Sequence, residues 1–205
     1  MPNVAERVLE NNEADLISMA RPFLADSQLF LKIKEGRDQE INTCIACNQA
    51  CLDHAFARKE VSCLVNPRAC NETTLNYFPA VKKKKIAVIG AGPSGLAFSE
   101  IAAQRGHEID LFEGSNEIGG QFNLAKKIPG KEEFYETLRY FYNALKKNNV
   151  NLILNKWVNN SDLIGKGYDE VVFSTGVNPR SINIEGINSK NVISYIDAIT
   201  GKRVI

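Results

Sequence analysis

The clearest pattern in the chain is an apolar run, Ile86-Ala-Val-Ile, that stops at a glycine. Consecutive apolar residues ending in a turn signal predict a strand buried on both faces, as in a parallel sheet. A small-residue helical pattern over 96–104 follows and closes at Gly106, and residues 107–112 (HEIDLF) read as the next strand. Residues 131–149 form an amphipathic helix with Phe134, Leu138, Phe141 and Leu145 on one stripe, where the aromatics are core. Residues 150–154 and 170–174 are further strands. Upstream, residues 2–12 read as a helix with Val4, Val8 and Leu9 on one face. Residues 15–21 (DLISMAR) read as a short strand. Asp26 is placed to cap a helix that turns Leu29, Phe30 and Ile33 inward before Gly36. This helix–strand–helix unit cannot cover a strand on both faces alone, so it requires a larger body or packs on the C-terminal part of the chain. Residues 64–85 read as a connection. The tail over 177–205 carries Pro179, Gly186 and Gly201 and no long periodic segment.

Composition adds limits. The chain has 205 residues, 44% apolar and 24% charged, with room for one or two ordinary globular domains. A net charge of +1 gives no reason to expect a nucleic-acid or membrane partner. The run Lys82–Lys85 reads as a solvated stretch before a buried strand. No apolar run approaches the ~20 residues that span a bilayer, and the acidic N-terminal stretch has no apolar segment of a secretory signal. Five cysteines, mostly clustered, argue against disulfides and for a cytoplasmic location.

Those cysteines carry the first chemical signal. Cys44, Cys47, Cys51 and Cys63 lie within one short segment, TCIACNQACLDHAFARKEVSC. Three thiolates packed so closely, closed by a fourth, suit a [4Fe-4S] cluster. Structural zinc is the rival, although it usually takes two C-x2-4-C knuckles and only one is present. Unligated buried thiols are the plainest alternative. Cys70 is left over, read as a buried free thiol or a substitute for Cys63. His54 and His107 read as structural residues.

The second signal is Gly90-Ala91-Gly92-Pro93-Ser94-Gly95, a G-x-G-x-x-G between the buried strand and its helix. Its first glycine permits the tight turn, the second lets a pyrophosphate approach the backbone, and the third lets helix pack on strand. Glu113, at the end of the next strand, is placed to accept hydrogen bonds from an adenosine ribose. Dinucleotide binding follows. Gly119-Gly120-Gln121 supplies a second glycine turn suited to a bulky cofactor or to a plain loop, so FAD and NAD both stay open at this point. Thr175-Gly176 ends the last strand, where it either lines a ligand crevice or turns.

Taken together, SMARPFLAD, INTCIACNQACLDHAF, SCLVNPRAC, IAVIGAGPSGLA, EIGGQFNLAKKIPGKEEF and STGVNPR resemble the bacterial 2,4-dienoyl-CoA reductase (NADPH) family, iron–sulfur flavoproteins related to trimethylamine dehydrogenase. The resemblance implies an α/β chain: the C-terminal end of an FMN-binding (β/α)8 barrel over 1–40 and an iron–sulfur segment with linker over 41–80. Part of a Rossmann-like FAD-binding domain follows over 81–178, then a connection toward an NADPH domain over 179–205. On this resemblance Ala20 and Arg21 belong to the FMN phosphate site, and Cys44, Cys47, Cys51 and Cys63 to the cluster. Gly90, Ala91, Gly92, Pro93, Ser94, Gly95, Glu113, Gly120, Gln121, Thr175 and Gly176 belong to the FAD site. The chain then resembles an internal piece of an enzyme that passes electrons from NADPH through FAD and the [4Fe-4S] cluster to FMN, reducing 2,4-dienoyl-CoA in fatty-acid beta-oxidation. No catalytic residue falls within it, and alone it is expected to be inactive. The competing expectations are another iron–sulfur flavoprotein (an amine dehydrogenase or enoate reductase), the electron-input subunit of a glutamate synthase, and a non-catalytic remnant.

Overall fold

The computed structural model describes residues 2–180 and 182–201. Its centre is a parallel sheet of four strands, β1 (Lys85–Ile89), β2 (Glu108–Phe112), β3 (Asn151–Ile153) and β4 (Glu170–Phe173), in the order β3-β2-β1-β4. Ile86 pairs with Ile109 on one side and with Glu170 on the other. The chain therefore steps outward from β1 to β3 and then returns to β1's other flank. That reversal makes a switch point at the carboxyl ends of β1 and β4, the place where open α/β sheets bind ligands.

Nine helices accompany the sheet among the described residues: α1 (Pro2–Glu10), α2 (Arg21–Ala25), α3 (Leu29–Lys34), α4 (Leu52–Phe56), α5 (Pro93–Gln104), α6 (Phe122–Ala125), α7 (Phe134–Lys147), α8 (Asn160–Leu163) and α9 (Tyr195–Thr200). Helix α7 follows from its apolar stripe and α5 from its run of small residues. Val88, Leu96 and Leu111 are fully buried, and Ile86, Ile109, Leu138 and Leu145 complete the same cluster. Between Ile109 and Leu111 on β2, Asp110 is buried but satisfied, accepting from Asn151 Nδ2 and the Tyr168 hydroxyl, each at 2.6 Å. The lysine run serves the sheet: Lys84 pairs with Glu170 at 2.6 Å, and Lys85 sits over the Tyr168 ring.

The N-terminal segments are fastened to this body by α7. Arg139 donates to the carbonyls of Gln39 at 2.5 Å and Ile41 at 2.8 Å, and Lys147 pairs with Glu40 at 2.6 Å. The N-terminal unit thus packs on the body that carries the sheet.

Four expectations need correcting. Asp26 closes α2 rather than capping α3, whose N-cap position is held by Gln28. Residues 15–20 form no strand, since among the described residues no strand lies beside them to complete a ladder. Phe30 is 65% exposed and lies against Phe23, while only Leu29 of α3 is buried. The tail carries a helix, α9, whose start is capped by Ser194 accepting from the Asp197 N–H at 3.0 Å and whose end is the left-handed Gly201.

Candidate functional site

The glycine turn joins β1 to α5 at the switch point. Gly90 adopts φ +102°, and a Cβ there would meet the Ser174 carbonyl oxygen at 2.5 Å. A Cβ at Gly95 would lie 1.9 Å from the Gly90 oxygen, so α5 approaches the turn only because residue 95 has no side chain. A Cβ at Gly92 would meet nothing within 4 Å. Its outer face is therefore open beside the N-terminus of α5, where helix amides and dipole favour an anion.

Glu113, one residue past β2, reaches back to this turn. Its Oε2 accepts from the Ala91 N–H at 2.9 Å, and Oε1 accepts from the N–H and hydroxyl of Ser115, each at 2.9 Å. The two halves of the dinucleotide pattern, 22 residues apart, thus meet in space. The second glycine turn joins them: the Gly119 N–H donates to the Ala91 oxygen at 2.7 Å, and a Cβ on Gly120 would lie 3.3 Å from Gly92 Cα. Gln121 donates its side-chain amide to the Val177 oxygen, tying this turn to the Thr175-Gly176 segment after β4. Pro93 and Ser94 form the first turn of α5.

Sequence reasoning passed over Ser174. Its N–H donates to the Ile89 oxygen at 2.8 Å, and its hydroxyl lies 2.8 Å from the Gly90 oxygen. It clamps β4 to the glycine turn. Arg139 was also missed, because its carbonyl partners lie about a hundred residues upstream. Only the short hydroxyl directly before Thr175-Gly176 offered a local signal for either.

The cysteine segment folds back on itself. The Ser62 N–H donates to the Ala50 oxygen at 2.7 Å, and Asn42 Nδ2 donates to the Val65 oxygen at 2.6 Å. These two ties bring Cys63 up to the earlier thiols, and Cys44, Cys47, Cys51 and Cys63 line one cavity. Leu24, Ile45, Ala50, Leu64 and Val65 make much of the remaining wall. Burial pushes the Cys63 thiol above its usual range; backbone hydrogen bonds from Val65 and Asn66 pull it back, and neighbouring Cys44 and Cys47 raise it further. Cys70 stands outside this cavity. It is exposed rather than buried, with a left-handed φ of +63°.

Four thiols are a donor set that structural zinc and iron–sulfur clusters both take. Among the described residues no three His, Cys, Asp or Glu side chains converge as one ion requires. A lone zinc holds each sulfur about 2.3 Å away. A [4Fe-4S] cluster takes four thiolates around a core of several atoms, and four cysteines lining one cavity match that donor set in number and kind. His54 is directed at the Glu60 oxygen, 2.9 Å from Nδ1, and His107 Nδ1 accepts from the Lys84 N–H at 3.1 Å.

Arg21, the first residue of α2, lines the same cavity, and its guanidinium donates to Asn48 Oδ1 at 2.6 Å. Ala20 precedes it at the helix N-cap. Behind them Asp26, nearly buried, accepts from Lys32 Nζ at 2.6 Å and from the Asn42 N–H at 2.9 Å, which holds the start of the cysteine segment on α3.

A family model described as pyridine nucleotide-disulphide oxidoreductase matches residues 84–205, a span that opens at β1 and takes in the glycine turn, Glu113 and Thr175-Gly176. The chain belongs to this family. Relatives that match nearly the whole chain include reductases by name. The chain is 38% identical to a metal reductase of Desulforamulus reducens over 98% of its own length and 31% of that protein's. It is 33% identical to a bilirubin reductase of Mediterraneibacter gnavus, over 93% of this chain and 30% of the other. A solved 2-naphthoyl-CoA reductase in complex with 2-naphthoyl-CoA matches all of this chain and 31% of its own, with a TM-score of 0.94 and 39% identity. The chain thus spans about a third of the length of the curated relatives it matches. Among the described residues no helix is long and apolar enough to cross a membrane.

Proposed function

We propose that this chain is the electron-relaying part of an iron–sulfur flavoenzyme oxidoreductase. It would hold a [4Fe-4S] cluster on Cys44, Cys47, Cys51 and Cys63, FAD at the glycine turn, and one edge of an FMN site at Ala20 and Arg21. The observation that carries this reading is the gathering of four thiols around one largely apolar cavity. Bound together, these groups would supply acceptance of a hydride from NADPH and one-electron conduction toward a conjugated acyl thioester.

The chain's own residues have definable tasks in that arrangement. Leu24, Ile45 and Leu64 line the thiols' cavity with apolar surface, and backbone hydrogen bonds from Val65 and Asn66 favour the thiolate at Cys63. The open face of Gly92 admits a pyrophosphate. Glu113, already fixed by Ala91 and Ser115, retains acceptor capacity for ribose hydroxyls.

For the whole protein the proposed partners are NADPH and 2,4-dienoyl-CoA, in fatty-acid beta-oxidation in the cytoplasm, where thiols stay reduced. A reductase solved with a CoA thioester is among the proteins this chain resembles, and so are enzymes named for amines. The metal, bilirubin and naphthoyl-CoA reductases share this segment while differing in what their names say they reduce. The segment is thus the common electron-handling part, and the choice of a dienoyl-CoA rests on motifs such as INTCIACNQACLDHAF and SCLVNPRAC.

An anaerobic reductive titration of the purified chain tests the reading. The expected uptake is roughly three electrons per chain, two by a flavin identified as FAD after extraction and one by the cluster. A chain that takes up no electrons and yields no flavin would overturn it.

A further inference from the structure

Trp157 is the chain's one tryptophan, and it is 85% exposed. Leaving an indole in water forfeits the burial that usually stabilises this residue. The backbone that leads to it is held in place. Beyond β3, Asn155 turns the chain through a left-handed φ of 56°. The Asn155 N–H donates to the Ser115 oxygen at 2.8 Å, and the Lys156 N–H donates to the Glu113 oxygen at 2.9 Å. These bonds fasten the loop after β3 to the loop after β2, on either side of Gly114.

The indole consequently lies across Gly114. A Cβ at that glycine would come within 2.7 Å of Trp157 Cε2 and 3.0 Å of both Cδ2 and Cζ2, three atoms of the six-membered ring. A residue with a side chain at 114 would displace the ring. Lys156 is engaged elsewhere, paired with Asp162 at 2.6 Å. Among the described residues no ring pair or cation–π contact involves Trp157.

We propose that Trp157 is a stacking platform for the adenine of the dinucleotide whose ribose is held by Glu113. This rests on the nucleotide reading of the glycine turn and goes beyond it by assigning the base to a named side chain. The chemistry is general: a purine presents a flat π-face, and base–aromatic stacking is tolerant of the base's polar edge. The geometry is particular. Glu113 and Trp157 flank Gly114, one offering acceptors for hydroxyls and the other an exposed ring face. Trp157 thereby selects for an adenine nucleotide at this end of the site over a phosphate or sugar alone.

The lone tryptophan also reports on the test. With the chain freed of flavin, ADP should quench tryptophan emission saturably, and pyrophosphate should not. By calorimetry, Trp157→Phe should bind ADP within about twofold of the unaltered chain, and Trp157→Ser about tenfold more weakly. The side chain is exposed, so neither variant should alter folding. If ADP binds but leaves emission and the Trp157→Ser affinity unchanged, the platform is wrong and the nucleotide site stands. If neither ADP nor FAD binds the unaltered chain, the nucleotide reading falls and the platform falls with it.

Discussion

The backbone N–H of Ala91 donates to the carboxylate of Glu113 at 2.9 Å, locking the end of β2 onto the turn after β1. Ser115 occupies the other carboxylate oxygen. An ionised carboxylate has about four acceptor sites, so the contacts within the chain orient Glu113 without exhausting it. Replacing Glu113 by Ala should weaken FAD binding by roughly tenfold to a hundredfold, the scale of a lost charged hydrogen bond. Calorimetric titration with FAD measures this. Equal affinity in the two proteins would remove Glu113 from the site.

Two glycines of the same turn should respond in opposite ways. At Gly95 a Cβ would press on the Gly90 oxygen at 1.9 Å and Ser174 Oγ at 2.6 Å, and neither the backbone nor the clamped serine has room to yield. Gly95→Ala should cost about 1–3 kcal/mol of stability through overpacking. At Gly92 a Cβ meets nothing, so Gly92→Ala should unfold at the same urea concentration as the unaltered chain while losing FAD affinity. Urea denaturation and flavin titration on both variants separate packing from binding. A Gly92→Ala chain that keeps full affinity would show that the pyrophosphate does not approach there.

Glu100 sits buried on α5, accepting from the Tyr140 hydroxyl and from Gln104. Burial pushes its carboxyl above the usual range, against the pull of Tyr140 and Lys32. The folded state thus favours the protonated form more than the unfolded chain does. The stability this contributes is complete below the unfolded carboxylate value of about 4.3 and declines as pH rises through the raised folded value. Glu100→Gln removes the charge and keeps an acceptor for Tyr140. It should be more stable than the unaltered chain near pH 8, with the difference closing toward pH 4. Parallel pH profiles in urea denaturation would contradict this.

How much was legible in the sequence depends on the range of each interaction. The glycine turn, Glu113 and the strands around them could be read because the turn chemistry and the apolar run are local. The supposed strand at 15–20 could not, since apolar β-compatible residues become a strand only when a ladder partner lies alongside. Ser174 and Arg139 escaped notice because what they hold lies about 85 and 100 residues away. The helix α9 was in principle visible in Ser194, Asp197 and Gly201, but six residues are too few to show a period. Cysteine spacing left Cys63 and Cys70 as rival fourth members. The ties of Ser62 to Ala50 and of Asn42 to Val65 place Cys63 on the cavity and leave Cys70 facing solvent.

That last distinction allows the most direct test of the central claim. Iron, acid-labile sulfide and zinc should be quantified on anaerobically purified chain, Cys63→Ser and Cys70→Ser. The account predicts about four iron and four sulfide per chain in the unaltered protein and in Cys70→Ser, with a clear loss of both in Cys63→Ser. Zinc without sulfide, or a cluster kept by Cys63→Ser and lost from Cys70→Ser, would contradict it.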